Sequence, residues 1–496
     1  MNDGADIALS LISHTNAGKT TLARTLLDRD IGDVRDAPHV TQDASIHRLI
    51  ATGDGDTLSL WDTPGFGDSV RLAKRLSQEG SPIGWFLTEV WDRYRDRTFW
   101  LTQKAVRNVR DDADVVLYLV NASEAPADAG YLAPELAVLA WIGKPVIALL
   151  NQTGPAGVTT EQQGDEQADE ARWRARFEAA NLREVLPLDA FARCWVQEFA
   201  LFAAIARVLP DAKRPAFARL SKAWEARRWS QFDAAMAAIA EPVARAALDR
   251  VTLPDDPLLA KVGRSLGIGR SDREGTGTRG EREMAARVEG DLRACTDRLI
   301  EIHGLKGSAA AEALARIAGD LRRDAPVDEG KAAMMGGLVS GALTGLGADL
   351  AAGGLTLGGG MLAGALLGAL GGAGVARGIN VARERTQATL TWDDAFLDAL
   401  VVDVLLRYLA VAHFGRGRGE WQAGEAPMLW RERVQAVVDL NRSERAAIWA
   451  PRSPESMEPR LRALLATCAL AVLDALYPDG RRASASTHSA TSAGPR

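Results

Sequence analysis

Apolar residues follow two rhythms along this chain, and the change of rhythm divides it. Up to about residue 210, short apolar runs alternate with helical patterns. Ile7–Ile12, Ser45–Ile50, Thr57–Trp61, Val115–Val120 and Val146–Leu150 predict strands. The last two are continuous apolar runs, as central parallel strands require. Thr21–Leu27 has apolar residues at helical spacing. Strands alternating with helices predict a doubly wound, mostly parallel α/β sheet, with ligands at the carboxyl ends of its strands. Beyond 210 the strand signals fade and Ala, Arg, Leu and Glu dominate. Pro215–Ala240, Met284–Gly304, Ser308–Arg323, Asp394–His413 and Pro459–Leu476 predict helices. A polar Gly- and Arg-rich run, Gly263 to Gly280, is expected to be a flexible loop near 263–283.

Residues 332–376 depart from both rhythms. Between Lys331 and Arg377 the only charged side chain is Asp349. Glycines recur every fourth residue, at Gly337, Gly341, Gly345 and again at Gly360, Gly364, Gly368, Gly372. In a helix this spacing aligns each series on one face and lets two backbones approach closely. Met334–Leu350 and Met361–Val375 therefore predict a glycine-zipper helical hairpin. Each glycine costs a helix in water roughly 1 kcal/mol relative to alanine, so lipid or a close partner helix suits the pattern better. Each arm is near or below the roughly 20 residues that span a bilayer core. Three readings fit: membrane insertion or reversible association, a buried hairpin in a helical domain, and self-assembly into a homo-oligomer. Arg377, Arg383 and Arg385 follow the segment and favour the cytoplasmic side.

The expected organisation is 1–210, an α/β domain; 211–330, helical; 331–378, the hairpin; 379–479, helical; and 480–496, a disordered low-complexity tail. Composition narrows the class without naming a partner. The 496 residues are 47% hydrophobic and 25% charged, with a formal charge of −6, so general nucleic-acid binding is not expected. Cys194, Cys295 and Cys468 are far apart, which predicts buried thiols rather than a disulfide framework or metal site. The first residues lack a signal-peptide pattern, so a cytoplasmic location, peripheral to or inserted at the inner face of the membrane, is expected.

Candidate chemistry sits after the first strand, in Ser13-His14-Thr15-Asn16-Ala17-Gly18-Lys19-Thr20-Thr21. This is the phosphate-binding pattern G-x-x-x-x-G-K-[ST] with Ser13 in place of the first glycine. Backbone N–H groups from Asn16 to Thr21 would cradle phosphates at a helix N-terminus. Lys19 would reach the β- and γ-phosphates, and the Thr20 hydroxyl would ligate Mg²⁺. About 45 residues on, Asp62-Thr63-Pro64-Gly65 ends another predicted strand. Asp62 can hold Mg²⁺ through water, and the Gly65 N–H can sense a γ-phosphate.

With these two motifs the first 210 residues resemble the translation-factor-related P-loop GTPases, especially the Era-like group. The resemblance implies GTP/GDP and Mg²⁺ as ligands, and Thr41 as the switch threonine that caps Mg²⁺ and the γ-phosphate. It places Asn16 where potassium-activated members ligate K⁺. It puts Asn151-Gln152-Thr153-Gly154 at the base-recognition motif N-K-x-D. Asn151 can hydrogen-bond the base and Gln152 can lie along it, but Gly154 replaces the guanine-reading aspartate. Asp189, in Leu188-Asp189-Ala190 after another short apolar strand, lies near the family's second base loop. GTP is the first choice; ATP or weak base specificity stays open. Phe66 stands where a water-positioning glutamine is common, so slow hydrolysis is expected, stimulated by K⁺, dimerisation or a partner. The whole chain resembles bacterial GTPases with a C-terminal domain of unknown function. Three functions remain in play: a membrane-associated regulatory GTPase, an RNA- or ribosome-related GTPase, and a non-catalytic nucleotide-binding scaffold.

Overall fold

The computed structural model describes residues 4–14, 17–27, 45–63, 65–78, 82–151, 170–188, 194–252, 271–305, 375–378, 389–413 and 428–477. The chain forms two compact units. One comprises 1–230, 413–420 and 473–496, the other 231–412 and 421–472.

The first unit is built on a six-stranded sheet. Its strands are β1 (Asp6–Ser13), β2 (Ser45–Ala51), β3 (Thr57–Asp62), β4 (Val115–Asn121), β5 (Val146–Asn151) and β6 (Glu184–Pro187). Their order is β2-β3-β1-β4-β5-β6, parallel except for β2, which pairs antiparallel with β3. Every strand read from the apolar pattern is present, extended by a residue or two. β6 is the short apolar strand expected just before Asp189. The register pairs Leu11 with Asp62 and Asn121 with Asn151, so Ser13, Asp62, Asn121 and Asn151 share the carboxyl edge of the sheet. Alternate residues Val116, Tyr118 and Val120 of β4, with Ala148 and Leu150 of β5, pack into one cluster with Leu132, Leu139, Trp173 and Phe177. That period of two is what a strand covered by helices produces.

Helices α1 (Lys19–Leu27), α2 (Ser69–Leu76), α5 (Arg97–Asp112), α6 (Leu132–Ile142), α7 (170–178) and α8 (Trp195–Val208) belong to this unit. Between α2 and α5 runs a continuous helical stretch: α3 (Pro82–Trp85), a π-helical middle at Phe86–Asp92, and α4 (Arg93–Arg95). The long helix α9 (Arg214–Leu248) is tied to the sheet by two acids. Asp56, buried in the β2–β3 turn, takes a bidentate bond from Arg219 at 2.7 and 2.9 Å. Glu198 accepts from Arg228 at 2.8 and 2.9 Å and from the Trp224 indole at 2.6 Å, all buried.

The second unit is helical, with α10 (Ser271–Ile302) and α11 (Asp394–Ala412) at its centre. Arg407 donates to Asp403 at 2.6 Å and to Thr296 at 3.0 Å in the interior. All three cysteines are free and buried, and burial pushes the Cys295 thiol up to about 12.

Two expectations need correction. The region beyond 210 is not wholly α-helical: β7 (Val251–Thr252), β8 (Val375–Gly378) and β9 (Thr389–Trp392) form a small antiparallel sheet in the order β7-β9-β8. Strands of two to four residues are too short to register a period of two in sequence. The glycine- and arginine-rich run was expected to be a loop, yet α10 starts at Ser271 within it. Gly280 is buried there, and a Cβ on it would lie 2.8 Å from Leu390 Cδ1 on β9. The glycine serves close helix-to-sheet packing rather than chain flexibility. Residues 375–378, at the end of the expected hairpin, form β8. The rest of the hairpin, the Ser308–Arg323 helix and the 480–496 tail lie outside the described residues. Among the described residues, no helix is long and apolar enough to cross a membrane.

Candidate functional site: a phosphate cradle at the sheet edge

β1 is buried between β3 and β4 and delivers the loop at Ser13. No left-handed backbone is recorded at Ser13; its hydroxyl donates to the His14 carbonyl at 2.7 Å. A side chain is therefore tolerated where the motif usually has glycine. Gly18 does need its glycine, with φ at +86°. Its carbonyl accepts from Leu22 N–H at 3.0 Å, which starts α1 and leaves the preceding N–H groups free of helical partners. Those groups and the helix dipole make the loop an anion site.

Two charges converge on it. Lys19, 8% exposed, donates to Asp62 Oδ1 at 3.1 Å, and Thr20 Oγ1 donates to Asp62 Oδ2 at 3.4 Å. The loop lysine, the hydroxyl and the carboxylate thus meet at one point, held by backbone from two adjacent parallel strands. A hydroxyl and one carboxylate, completed by phosphate and water oxygens, suit Mg²⁺, which binds few protein ligands. Among the described residues there is no cluster of three or more His, Cys, Asp or Glu that could hold another metal. Thr21 is buried in α1 and offers the loop only its backbone.

The β3 exit is fastened to the same loop. Thr63 Oγ1 donates to the Leu11 carbonyl at 2.7 Å, and Phe66 N–H donates to the Ser13 carbonyl at 3.1 Å. Gly65 is thereby held beside the cradle. The Phe66 ring is 1% exposed and sits in the core cluster near Tyr118, turned away from any position that could orient a water.

Asn151, at the end of β5, is fully buried and donates its side-chain amide to the Ala17 carbonyl at 2.8 Å. The structure therefore places this base-motif residue on the phosphate loop itself. Asn16, Thr41, Gln152 and Asp189 lie outside the described residues.

One group escaped the sequence reading. His14 Nδ1 lies 2.7 Å from Glu135 Oε1, the Tyr118 hydroxyl donates to Glu135 Oε2 at 2.6 Å, and Tyr131 stacks on the imidazole at 4.1 Å. Burial pushes the Glu135 carboxyl up, partly offset by its bonds from His14 and Tyr118. Burial also raises the Tyr118 phenol well above its ordinary range, helped by the neighbouring carboxylate. Through His14 the network ties the loop to β4 and α6. Its one sequence signal was a lone acid, Glu135, in the otherwise apolar helix Leu132–Ile142.

A mostly parallel sheet, a left-handed glycine before a helix and a Lys–Thr–Asp convergence are the phosphate site of a P-loop nucleotide-binding domain. The family described as "Domain of unknown function (DUF3482)" matches residues 174–463, more than half of the chain, and the protein belongs to it. The family described as "50S ribosome-binding GTPase" matches residues 9–152. No curated protein matches the chain. Among solved structures, Era in complex with MgGDPNP and a segment of 16S ribosomal RNA is 16% identical. That match covers 42% of this chain and 58% of that one, with a TM-score of 0.30. An Era variant from Aquifex aeolicus bound to GDP.AlF4- is 18% identical over the same shares, with a TM-score of 0.28. A probable GTP-binding protein engB is 18% identical over 37% of this chain and 88% of that one, with a TM-score of 0.23. The match thus spans a little over half the length of the two Era chains.

Proposed function

We propose that the protein is a slow, membrane-associated regulatory GTPase whose nucleotide state controls segment 332–376. The observation that carries the hydrolysis part is the seat of Phe66. It follows Gly65 directly, its ring is committed to the core and its N–H to Ser13. No side chain at that position can align an attacking water. Lys19 would neutralise the phosphates, Thr20 and Asp62 would hold Mg²⁺, which would supply further charge neutralisation, and Asn151 keeps the loop in shape. Asn16 and a K⁺ ion would supply the missing transition-state charge, and Thr41 would close over the metal.

The apolar, glycine-patterned segment 332–376 is the output, through a cytoplasmic membrane face, a partner protein or self-assembly as a glycine zipper. A nucleotide drives such a change only by binding one arrangement more tightly than the other. A second reading, an RNA- or ribosome-related GTPase, is supported by the description of the family that matches residues 9–152. Co-purifying RNA whose binding weakens steeply with salt would favour it. A non-catalytic scaffold is the remaining alternative.

The test is nucleotide binding and single-turnover hydrolysis, GTP against ATP, in K⁺ and in Na⁺, with and without liposomes. Slow GTP turnover that rises in K⁺ and is lost in Lys19→Ala is the expected result. Fast turnover in Na⁺, unchanged by K⁺, overturns the cation role. An unchanged membrane fraction after removal of 332–376 overturns the output.

A further inference from the structure

The helical stretch 82–95, which follows the Asp62–Gly65 motif, is amphipathic in the wrong direction for a soluble domain. Of its two acids, Asp92 faces inward. Asp92 is fully buried, taking bonds from Arg75 at 3.1 Å, Gln103 at 2.9 Å and Arg71 at 3.4 Å. Four large apolar or aromatic side chains face outward: Ile83 is 71% exposed, Phe86 48%, Trp91 46% and Tyr94 81%, while Leu87 and Val90 are half-buried. Positions 83, 86, 91 and 94 fall on one side of a helix by their spacing. Val70, at the start of α2, is 64% exposed, and its neighbour Arg71 bonds to both Asp92 and Asp96. Most of the large exposed apolar side chains among the described residues therefore belong to this one segment.

Arg93 and Arg95 flank it on the same helix, which also carries Glu89, and further basic residues lie on α2 and α5. Lys74, Arg93, Arg95, Arg97 and Lys104 are exposed, and Arg95 lies 4.9 Å over the Trp91 ring. The flanking acid Asp96 is engaged by Arg71 at 2.6 Å. In a chain of net charge −6, a basic and aromatic face is a local exception.

We propose that the 82–95 helix is an interfacial anchor for an anionic lipid surface. Aromatic and aliphatic tips with arginine on the flanks are the composition of a helix lying in the headgroup region. The charge pattern selects this occupant. A second copy packed two-fold on the same face would set these arginines against their own copies. Stacked nucleic-acid bases would use the aromatic rings but gain nothing from Ile83 and Val70. A bilayer accepts both aliphatic and aromatic tips and rewards the cations. Because α2 and Asp92 tie this helix to the strand exit held at Ser13, a shift of Gly65 on nucleotide exchange would be transmitted to it. The inference rests on the reading that the protein works at a membrane, but not on segment 332–376.

The experiment is co-sedimentation of the full chain with vesicles of phosphatidylcholine alone or with phosphatidylglycerol, in GDP and in a non-hydrolysable GTP analogue. Arg93→Glu with Arg95→Glu, and Ile83→Ser with Tyr94→Ser, alter exposed side chains. GDP affinity and circular dichroism check the fold. The expected result is binding to anionic vesicles that falls roughly tenfold or more in both variants, at unchanged GDP affinity. A chain lacking 332–376 keeps the part of the binding that these substitutions remove, so this proposal and the hairpin output fail separately. Variants that bind anionic vesicles like the parent overturn the proposal. So does a parent that binds both vesicle types equally, and so do variants that lose self-association or RNA binding instead.

Discussion

Asn151 illustrates how a residue's neighbours decide its job. Its place in the chain points to the nucleotide base, yet its side-chain amide donates to the Ala17 carbonyl in the phosphate loop. Removing a buried hydrogen-bonding partner of this kind costs about 1–3 kcal/mol. Asn151→Ala is therefore expected to weaken GDP and ADP by a similar factor, roughly tenfold, read by isothermal titration. A loss confined to guanine nucleotides would return the residue to base recognition. Ser13 carries a related lesson. With no left-handed backbone recorded there, the motif's first glycine is dispensable, whereas Gly18 at φ +86° is not.

At the scale of elements, two buried acids fasten α9 to the nucleotide-binding unit. The Arg219 guanidinium, with the Ala5 N–H, lowers the Asp56 carboxyl to about 2. Its folded value lies below the unfolded one, so its stabilisation is full above about pH 4 and fades as pH falls towards 2. Asp56→Asn should flatten that acid limb in urea melts taken at several pH values; an unchanged slope would show that Asp56 is not its source. Glu198 is the harsher case because Arg228 and the Trp224 indole depend on it in a dry interior. Glu198→Ala strands the buried guanidinium, and about 3–5 kcal/mol of stability should be lost in denaturant unfolding. A loss below about 1 kcal/mol would mean that water reaches the arginine.

At the scale of the whole molecule, a nucleotide cradle occupies one compact unit and a helical bundle with a small sheet makes the other. Ligand that binds only the folded cradle stabilises it by mass action. GDP with Mg²⁺ at a hundred times its Kd should add about 2.7 kcal/mol to the unfolding free energy of the first unit. Calorimetry would show this as an upward shift of that unit's transition, and its absence would place the nucleotide elsewhere. The exposed apolar face of 82–95 belongs to the same unit, so nucleotide and lipid effects are measurable on one chain.

The sheet and the cradle were legible because both are local. The six strands of the main sheet announced themselves as apolar runs, and Gly18-Lys19-Thr20 and Asp62 as motifs whose spacing is set by one strand, one loop and one helix. What escaped depends on distant partners. The strands at 251–252, 375–378 and 389–392 are too short to show a period and exist only by pairing. Gly280 reads as a loop residue until Leu390 is set against it. His14 becomes part of a network only when Glu135 and Tyr118 arrive from another helix and strand. Apolar spacing in 82–95 does not by itself say which side of that helix is buried. Only the tertiary structure, by turning Asp92 inward onto two arginines, decided that the face points out. Periodicity and loop chemistry are properties of neighbours in sequence; burial, pairing and the facing of a helix are set by contacts the chain makes only when folded.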